Sequence, residues 1–323
     1  MELSNKTVLI TGSGGFIGSN IVNEFLNNNF KIYAFIHNFV PKDFKNNEKI
    51  ELIKCDVTDK NAVLTTFKQL PQKPEIIVHV AGLASDVGAD KLYRKLNFES
   101  VKIMAQLPCK RFIYISSTDV YGIKDFNGEG EEELPFCEFP ENPYPKYKIK
   151  SELWLREKIP SGKYVIIRPA AVWGKGDKTL EKRFLEFLKV SPFIVHFGKW
   201  RGQNRWPLAN VETLAKVVYN CCLTDEYTGQ AINIIDTKKT TIDEYYRELG
   251  AKYFPDKRFY TITLPMWIGK IIGVTSSILS YILKTKHPVF DPSYYALHHV
   301  SSNLDFDNSR MLKILNIDKL HIR

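Results

Sequence analysis

Cysteine is scarce and unpaired. The five in 323 residues, Cys55, Cys109, Cys137, Cys221 and Cys222, are odd in number and lack the paired short spacings of a zinc site. Reduced, mostly buried thiols are expected. The seven histidines show no ligand spacing, so no metal is expected, and no serine sits in the glycine pattern of a nucleophile elbow. No signal-peptide core follows Met1, and the chain runs straight into an apolar strand pattern, so a cytoplasmic location is expected. Nor is there an uninterrupted run of ~18 apolar residues. The longest candidate, Leu264 to Leu283, is broken by Pro265, Lys270, two glycines and several hydroxyls. A packed helix is expected there, with membrane-surface contact only the lesser alternative. Internal repeats and low-complexity linkers are also missing.

What is present is an ordinary globular composition, 44% hydrophobic and 25% charged, which excludes disorder and provides for a substantial core. Lys and Arg number 45 against 36 Asp and Glu, a formal +9 that favours anionic partners such as phosphates. The cations are scattered and no dense basic run interleaves them with aromatics. The conspicuous charge cluster, Glu129, Glu131, Glu132 and Glu133, is acidic, so nucleic acid is not expected as a partner.

Short β-branched runs alternate with helical patterns through the first half. The strand candidates are Thr7 to Thr11, Lys31 to Ile36, Glu51 to Lys54, Ile76 to Val80, Arg111 to Ser116 and Tyr164 to Arg168. Six such units predict an α/β fold with a doubly wound parallel sheet over residues 1–168. Residues 169–323 predict a smaller, mixed region, with returns to the sheet allowed. Helices are expected near Leu180 to Lys189, Val211 to Cys222, Ile242 to Leu249, Pro265 to Leu283 and Ser309 to Leu315. Strands are expected at Phe193 to Phe197, Ala231 to Ile235 and Arg258 to Thr263.

Directly after the first strand stands Thr11-Gly12-Ser13-Gly14-Gly15-Phe16-Ile17-Gly18, opening a helix with Ile17, Ile21, Val22 and Phe25 at helical spacing. Gly12 permits the tight turn, Gly15 lets backbone approach a pyrophosphate, and Gly18 permits close helix packing, while the helix N-terminus offers N–H groups. The Gly-x-x-Gly-x-x-Gly spacing resembles the extended branch of the short-chain dehydrogenase/reductase superfamily, the NAD-dependent epimerase/dehydratase family. That resemblance implies a dinucleotide-binding Rossmann domain over 1–168 and a substrate-binding region over 169–323. It also implies a cofactor shell of Gly12, Ser13, Gly15, Phe16, Ile17 and Gly18, then Asp56 and Val57 near the adenine, Ala81 and Gly82 along the cofactor, and Asn97. At the end of the second strand, where an NAD enzyme commonly carries a carboxylate for the ribose, Ile36 and His37 stand instead. His37 and Lys42 offer positive charge there, so of the two forms of NAD(P) the sequence favours NADP.

A helix after the fifth strand begins Tyr144-Pro145-Lys146-Tyr147-Lys148, and Tyr144 and Lys148, four apart, share one face. A phenol with a pKa of about 10 is a poor base at neutral pH. An ammonium at ~4 Å contributes on the order of 4 kcal/mol at an effective dielectric of ~20, enough to lower that pKa by about three units before desolvation opposes it. Tyr144 is therefore expected to exchange the substrate proton, with Lys148 lowering its pKa and binding the nicotinamide ribose. The family's catalytic hydroxyl lies four residues before the tyrosine of its Val-Tyr-Gly ending, which assigns it to Ser117. Thr118 becomes an auxiliary donor to substrate. Related 4,6-dehydratases carry an Asp-Glu pair where this chain has Thr118-Asp119, which argues against dehydration.

The resemblance continues through Arg168-Pro169 to Gly176-Asp177, Asn210 to Ala215 and Phe306 to Arg310. It implies an NAD(P)-dependent epimerase or reductase acting by hydride transfer at a secondary alcohol or ketone carbon of a nucleotide sugar, with Arg205 on the diphosphate and a homodimeric assembly. The alternatives are an oxidoreductase of apolar alcohols or ketones, like the hydroxysteroid and flavonol-reductase branch, and a non-catalytic cofactor sensor. The matched Ser117, Tyr144 and Lys148 argue against the sensor.

Overall fold

A computed structural model of the chain describes residues 5–37, 39–131, 133–285, 288–289 and 291–316. Glu132 of the acidic cluster and residues 1–4 of the amino terminus lie outside them. The first half contains β1 (Thr7–Thr11), α1 (Phe16–Asn27), β2 (Lys31–Ile36), β3 (Ile50–Lys54), α2 (Lys60–Gln69), β4 (Ile76–His79), α3 (Asp90–Arg94), α4 (Ser100–Ala105), β5 (Arg111–Ile115), β6 (Phe126–Glu129), α5 (Pro143–Lys158) and β7 (Tyr164–Pro169). The second half contains β8 (Ala171–Trp173), α6 (Leu180–Val190), β9 (Phe193–Phe197), β10 (Leu208–Asn210), α7 (Val211–Leu223), β11 (Ala231–Ile234), α8 (Ile242–Tyr253), β12 (Tyr260–Leu264), α9 (Met266–Ile282), α10 (Tyr294–Ser301), β13 (Leu304–Phe306) and α11 (Ser309–Ile314).

Alternation along each central strand divides its side chains between two cores. Val8 and Ile10 of β1 enter one core and Leu9 the other; Ile32 and Ala34 of β2 separate from Tyr33 and Phe35 in the same way. Because both faces are apolar, the sheet must be covered on both sides. One face receives α1, α7 and α11, and the other α2, α4 and part of α5. The parallel sheet runs β11-β7-β5-β4-β1-β2-β3. Its seventh strand, β11, pairs with β7, so the later half of the chain returns to the sheet that the first half begins.

The chain steps outward from β1 to β2 and β3, then places β4 on the other side of β1. That reversal leaves a crevice at the carboxyl ends of β1 and β4. A smaller core gathers Phe184, Leu188, Ile194, Trp206, Ile242 and Leu249, contributed by α6, β9 and α8 with the loop before β10. The second half also forms the short parallel pairs β8–β10, β9–β12 and β6–β13, the last reaching back to the first half.

Under the carboxyl end of β5 lies a buried polar cluster. Glu152 of α5 accepts from Arg168 through both oxygens, at 3.0 Å and 2.5 Å, and from the Ser116 hydroxyl at 2.6 Å. Arg168 also donates to the Tyr121 hydroxyl at 2.6 Å, which in turn donates to Asn233 of β11 at 2.8 Å. The cluster joins α5, β7, β11 and the turn after β5. Removing one member of a buried ion pair leaves the other charge unpaired, at a cost of about 3–5 kcal/mol. Arg168→Met is therefore expected to lower the unfolding free energy in urea by that amount, and adding Glu152→Leu to recover part of it. A loss below about 1 kcal/mol for the single variant contradicts this account.

Candidate active site

β1 ends at Thr11, and the turn that follows holds Gly12 at φ +65°, where a Cβ would stand 2.9 Å from the Ala81 nitrogen. Gly18 packs its Cα against the Gly12 carbonyl so closely that any side chain would collide with it. Gly15 caps α1 from extended backbone without a side-chain acceptor, leaving the first-turn amides of Phe16, Ile17 and Gly18 without a capping side chain. An uncapped helix start at a topological switch point is a site for phosphate, so the residues present fit the dinucleotide that the sequence implies. Phe16 lies beside Gly176, and Asn20 donates to the Lys175 carbonyl at 3.2 Å, bringing the loop after β8 onto the start of α1.

Ser13 departs from expectation. Its hydroxyl is fully buried and donates to the Ile10 carbonyl at 2.6 Å, so it braces the turn instead of facing a cofactor. Gly14, which the spacing argument passed over, lies directly under the carbonyl of Phe39 in the segment after β2. His37 is exposed just beyond β2. Asp56 accepts from the Thr58 amide and hydroxyl, and those bonds, aided by the charges of His37 and Lys95, hold its carboxyl below the usual range. Asp59, not Asp56, caps α2; Val57 is buried in the core.

Asn97 lies in a π-helical stretch, Lys95–Glu99, of the kind that recurs at functional sites. Its side chain is buried and clamps the backbone of Leu83, accepting from the amide at 2.7 Å and donating to the carbonyl at 2.8 Å. A Cβ on Gly82 would meet both Asn97 and the Lys148 amine, at 3.1 Å and 3.7 Å. The Ala81-Gly82 turn, Asn97 and Lys148 therefore meet at the carboxyl end of β4.

Asn142 sets the register of α5. Its side chain accepts from the Tyr144 amide at 2.8 Å, and Pro143, whose missing N–H costs nothing in a first turn, starts the helix one residue before Tyr144. Lys148, one turn on, is buried; its amine donates to the Ile115 carbonyl at 2.6 Å and lies 5.7 Å from the centre of the Tyr144 ring. Burial pushes the amine down to about 7, against the opposing pull of Glu152 and Asp119.

Ser116 and Ser117 diverge: the Ser116 hydroxyl donates to Glu152, while the Ser117 oxygen accepts from the Asp119 amide at 3.2 Å and its hydroxyl acts to lower the Tyr144 phenol. Thr118 is buried at the start of the short turn that Ser117 caps.

Desolvation, which the sequence reading set against the pull of Lys148 on the phenol, is the larger effect in the protein alone. The protein's own groups push Tyr144 above its ordinary value, first by burial and next by the negative charge of Asp119, with only the Ser117 hydrogen bond acting the other way. Asp119 accepts from the Tyr295 hydroxyl at 2.5 Å, and His299 Nε2 stands 3.6 Å away. These partners keep Asp119 ionised in spite of burial, and Asp119 in turn raises His299.

Tyr295 and His299 lie on α10, a helix that the sequence did not predict, so the missed signal was a tyrosine and a histidine four apart. Glu152 was also missed, although Tyr144, Lys148 and Glu152 continue one face of α5. Arg205 lies in the loop before β10, beside Trp206, whose ring meets that of His299 edge-on at 6.2 Å. Its guanidinium donates to the Lys239 carbonyl at 2.7 Å, and its backbone pairs with Thr241.

A cleft of about 420 Å³ opens beside Asp119 and Tyr295, lined also by Phe136, Phe139, Glu138 and Lys124. All five cysteines are free, and no cluster of metal-ligating side chains occurs among the described residues.

Residues 8–234 match the model of the NAD dependent epimerase/dehydratase family. A UDP-glucose 4-epimerase of Vibrio cholerae is 30% identical over 83% of this chain and 81% of its own length. A decarboxylating sterol-4-alpha-carboxylate 3-dehydrogenase of Candida albicans is 26% identical over 94% of this chain and 85% of its own. Among solved structures, the UDP-glucuronic acid 4-epimerase of Bacillus cereus, in complex with UDP-glucuronic acid and NAD, superposes with a TM-score of 0.67 at 18% identity, covering 97% of this chain and 93% of that one.

Nuclear magnetic resonance of lysine side-chain amines offers a direct check of the Lys148 environment. One amine is expected to titrate about pH 7 and to vanish from the spectrum of Lys148→Met. A spectrum in which every lysine titrates near the ordinary value of about 10.4 contradicts it.

Proposed function

The chain belongs to the NAD dependent epimerase/dehydratase family and is an enzyme of the extended short-chain dehydrogenase/reductase type, and from that premise we propose that it transfers a hydride at a secondary alcohol or ketone carbon, that of a nucleotide sugar. A bound nicotinamide would supply the hydride acceptor or donor, its oxidised ring carrying positive charge. Tyr144 takes the hydroxyl proton as the alcohol becomes a ketone and gives it back in the reverse direction. Ser117 hydrogen-bonds the reacting oxygen, with Thr118 as an auxiliary donor. Lys148 binds the nicotinamide ribose. The turn from Gly12 to Gly18, with the first-turn amides of Phe16, Ile17 and Gly18, holds the pyrophosphate, while Asp56, Val57, Ala81, Gly82 and Asn97 line the rest of the dinucleotide.

The observation that supports this most is the convergence of Lys148, Asn97 and Gly82 at the carboxyl edge of the sheet, one helical turn from Tyr144 and Ser117. A nucleotide sugar is supported by the 30% identity with the Vibrio cholerae epimerase. A second reading, an apolar alcohol or ketone, draws support from two facts: the similarity to the sterol dehydrogenase spans nearly the whole chain, and the cleft beside Asp119 carries Phe136, Phe139 and Tyr295 but no arginine. Ile36 and His37 in place of a carboxylate at the very end of β2 support NADP, while the nearness of Asp56 to His37 and the NAD held by the Bacillus cereus enzyme support NAD.

Turnover of UDP-sugars and of sterol alcohols, followed through product formation and nicotinamide absorbance, separates the two substrate classes and the two cofactors. In either class Tyr144→Phe is expected to lower kcat by about 10²–10⁴-fold while dinucleotide affinity stays within a few fold. Near-full turnover by that variant overturns the proposal.

A further inference from the structure

Helix α9 is built inside out. The residues it buries are its smallest, Gly269, Gly273, Ser276 and Ser280, on a single helix face. That face packs tightly: a Cβ on Gly273 would stand 2.8 Å from the Tyr294 Cα, and one on Gly269 would stand 2.7 Å from the Phe197 ring. The large apolar side chains point the other way. Trp267 is 63% exposed, Ile271 59%, Ile278 53% and Tyr281 85%, with Val274 exposed between them. A helix facing water carries the opposite arrangement, and a contiguous exposed apolar stripe marks a contact surface.

Charge identifies what covers the stripe. Between Asp256 and Asp291 the chain has no carboxylate, yet it carries Lys257, Arg258, Lys270, Lys284 and Lys286. Lys270 and Lys284 are exposed, one in the first turns of α9 and one just past its end. We propose that this face docks the protein on an anionic lipid surface, with the apolar stripe entering the acyl boundary and the flanking lysines meeting the headgroup phosphates.

A second copy is the poorer occupant. A two-fold pairing of this face would bring identical lysine-bearing helices together with no carboxylate on either to meet them. Crossing the membrane is not involved: no helix among the described residues is long and apolar enough to span one. At 17 residues α9 is about 25 Å long and lies in the interface plane. Trp267 and Tyr281 stand near its two ends, and their part-polar rings suit the boundary between water and lipid. Behind α9 packs α10, which carries Tyr295 and His299 to Asp119, so the lipid-facing surface lies one helix away from the reacting centre.

The test is co-sedimentation of the full chain with vesicles of phosphatidylcholine alone or with phosphatidylglycerol. Binding is expected to the phosphatidylglycerol vesicles, to weaken with salt, and to fall at least tenfold in the double variant Ile271→Glu with Ile278→Glu. Lys270→Glu and Lys284→Glu, which leave the apolar stripe intact, are each expected to weaken it about fivefold. Dinucleotide binding by every variant serves as the check on folding. Two results overturn the proposal: no binding to either vesicle, or unchanged vesicle binding by the double variant together with a change in its oligomeric state in solution, which assigns the face to a second copy.

Discussion

Lys148 reaches the Ile115 carbonyl only by giving up its hydration, and the groups around it are arranged against that cost. A buried amine loses stability as a cation unless carboxylates stand near. Glu152, one turn along α5, is one of them, but Arg168 and Ser116 already engage both its oxygens, so only part of its charge acts on Lys148. Asp119 is the other, and its charge acts on the phenol as well. Tyr144 thus shares its surroundings with a cation weakened by burial and an anion sustained by Tyr295 and His299. Left to these groups alone, the phenol stays protonated.

The same pair depends on how α5 is anchored. Asn142 caps the helix with its oxygen and donates through its amide to the Asp86 carbonyl at 2.8 Å. The Asp86 carboxylate accepts from Arg183 of α6 at 2.9 Å and from Ser293, the cap of α10, at 2.8 Å. The start of the tyrosine-bearing helix is therefore tied to the segment that delivers Tyr295 and His299. Through α10 that tie extends to α9, which carries the proposed lipid contact, so the position of the second half bears directly on the charge facing Tyr144.

Much of this was legible in the sequence because the central strands are buried on both faces. A parallel strand covered on both sides reads as a continuous apolar run, and all six predicted strands fall within a residue of β1, β2, β3, β4, β5 and β7 at either end. The turn from Gly12 to Gly18 was legible because close approach leaves glycine as the permitted residue. Contacts between distant segments were not. Spacing along α5 paired Tyr144 with Lys148 but could not say that Asp119 would face the same phenol from a different turn, or that α10 would hold Asp119 ionised. The partners of Ser13 and Arg205 were not legible for a related reason: residue type names a donor, while burial gives the Ser13 hydroxyl to Ile10 and chain crossing gives the Arg205 guanidinium to Lys239.

The protein's own groups hold Tyr144 above the ordinary phenol pKa, so that acidification, on the proposed function, waits for the positive charge of the oxidised cofactor. Difference absorbance of phenolate between the wild-type protein and Tyr144→Phe, titrated with pH first without and then with saturating NAD⁺ or NADP⁺, measures this directly. Without cofactor, Tyr144 is expected to show no ionisation below about pH 10, and with it the ionisation is expected to move to lower pH. A phenol that titrates below about pH 10 in the protein alone, or one that does not respond to the oxidised cofactor, contradicts the account.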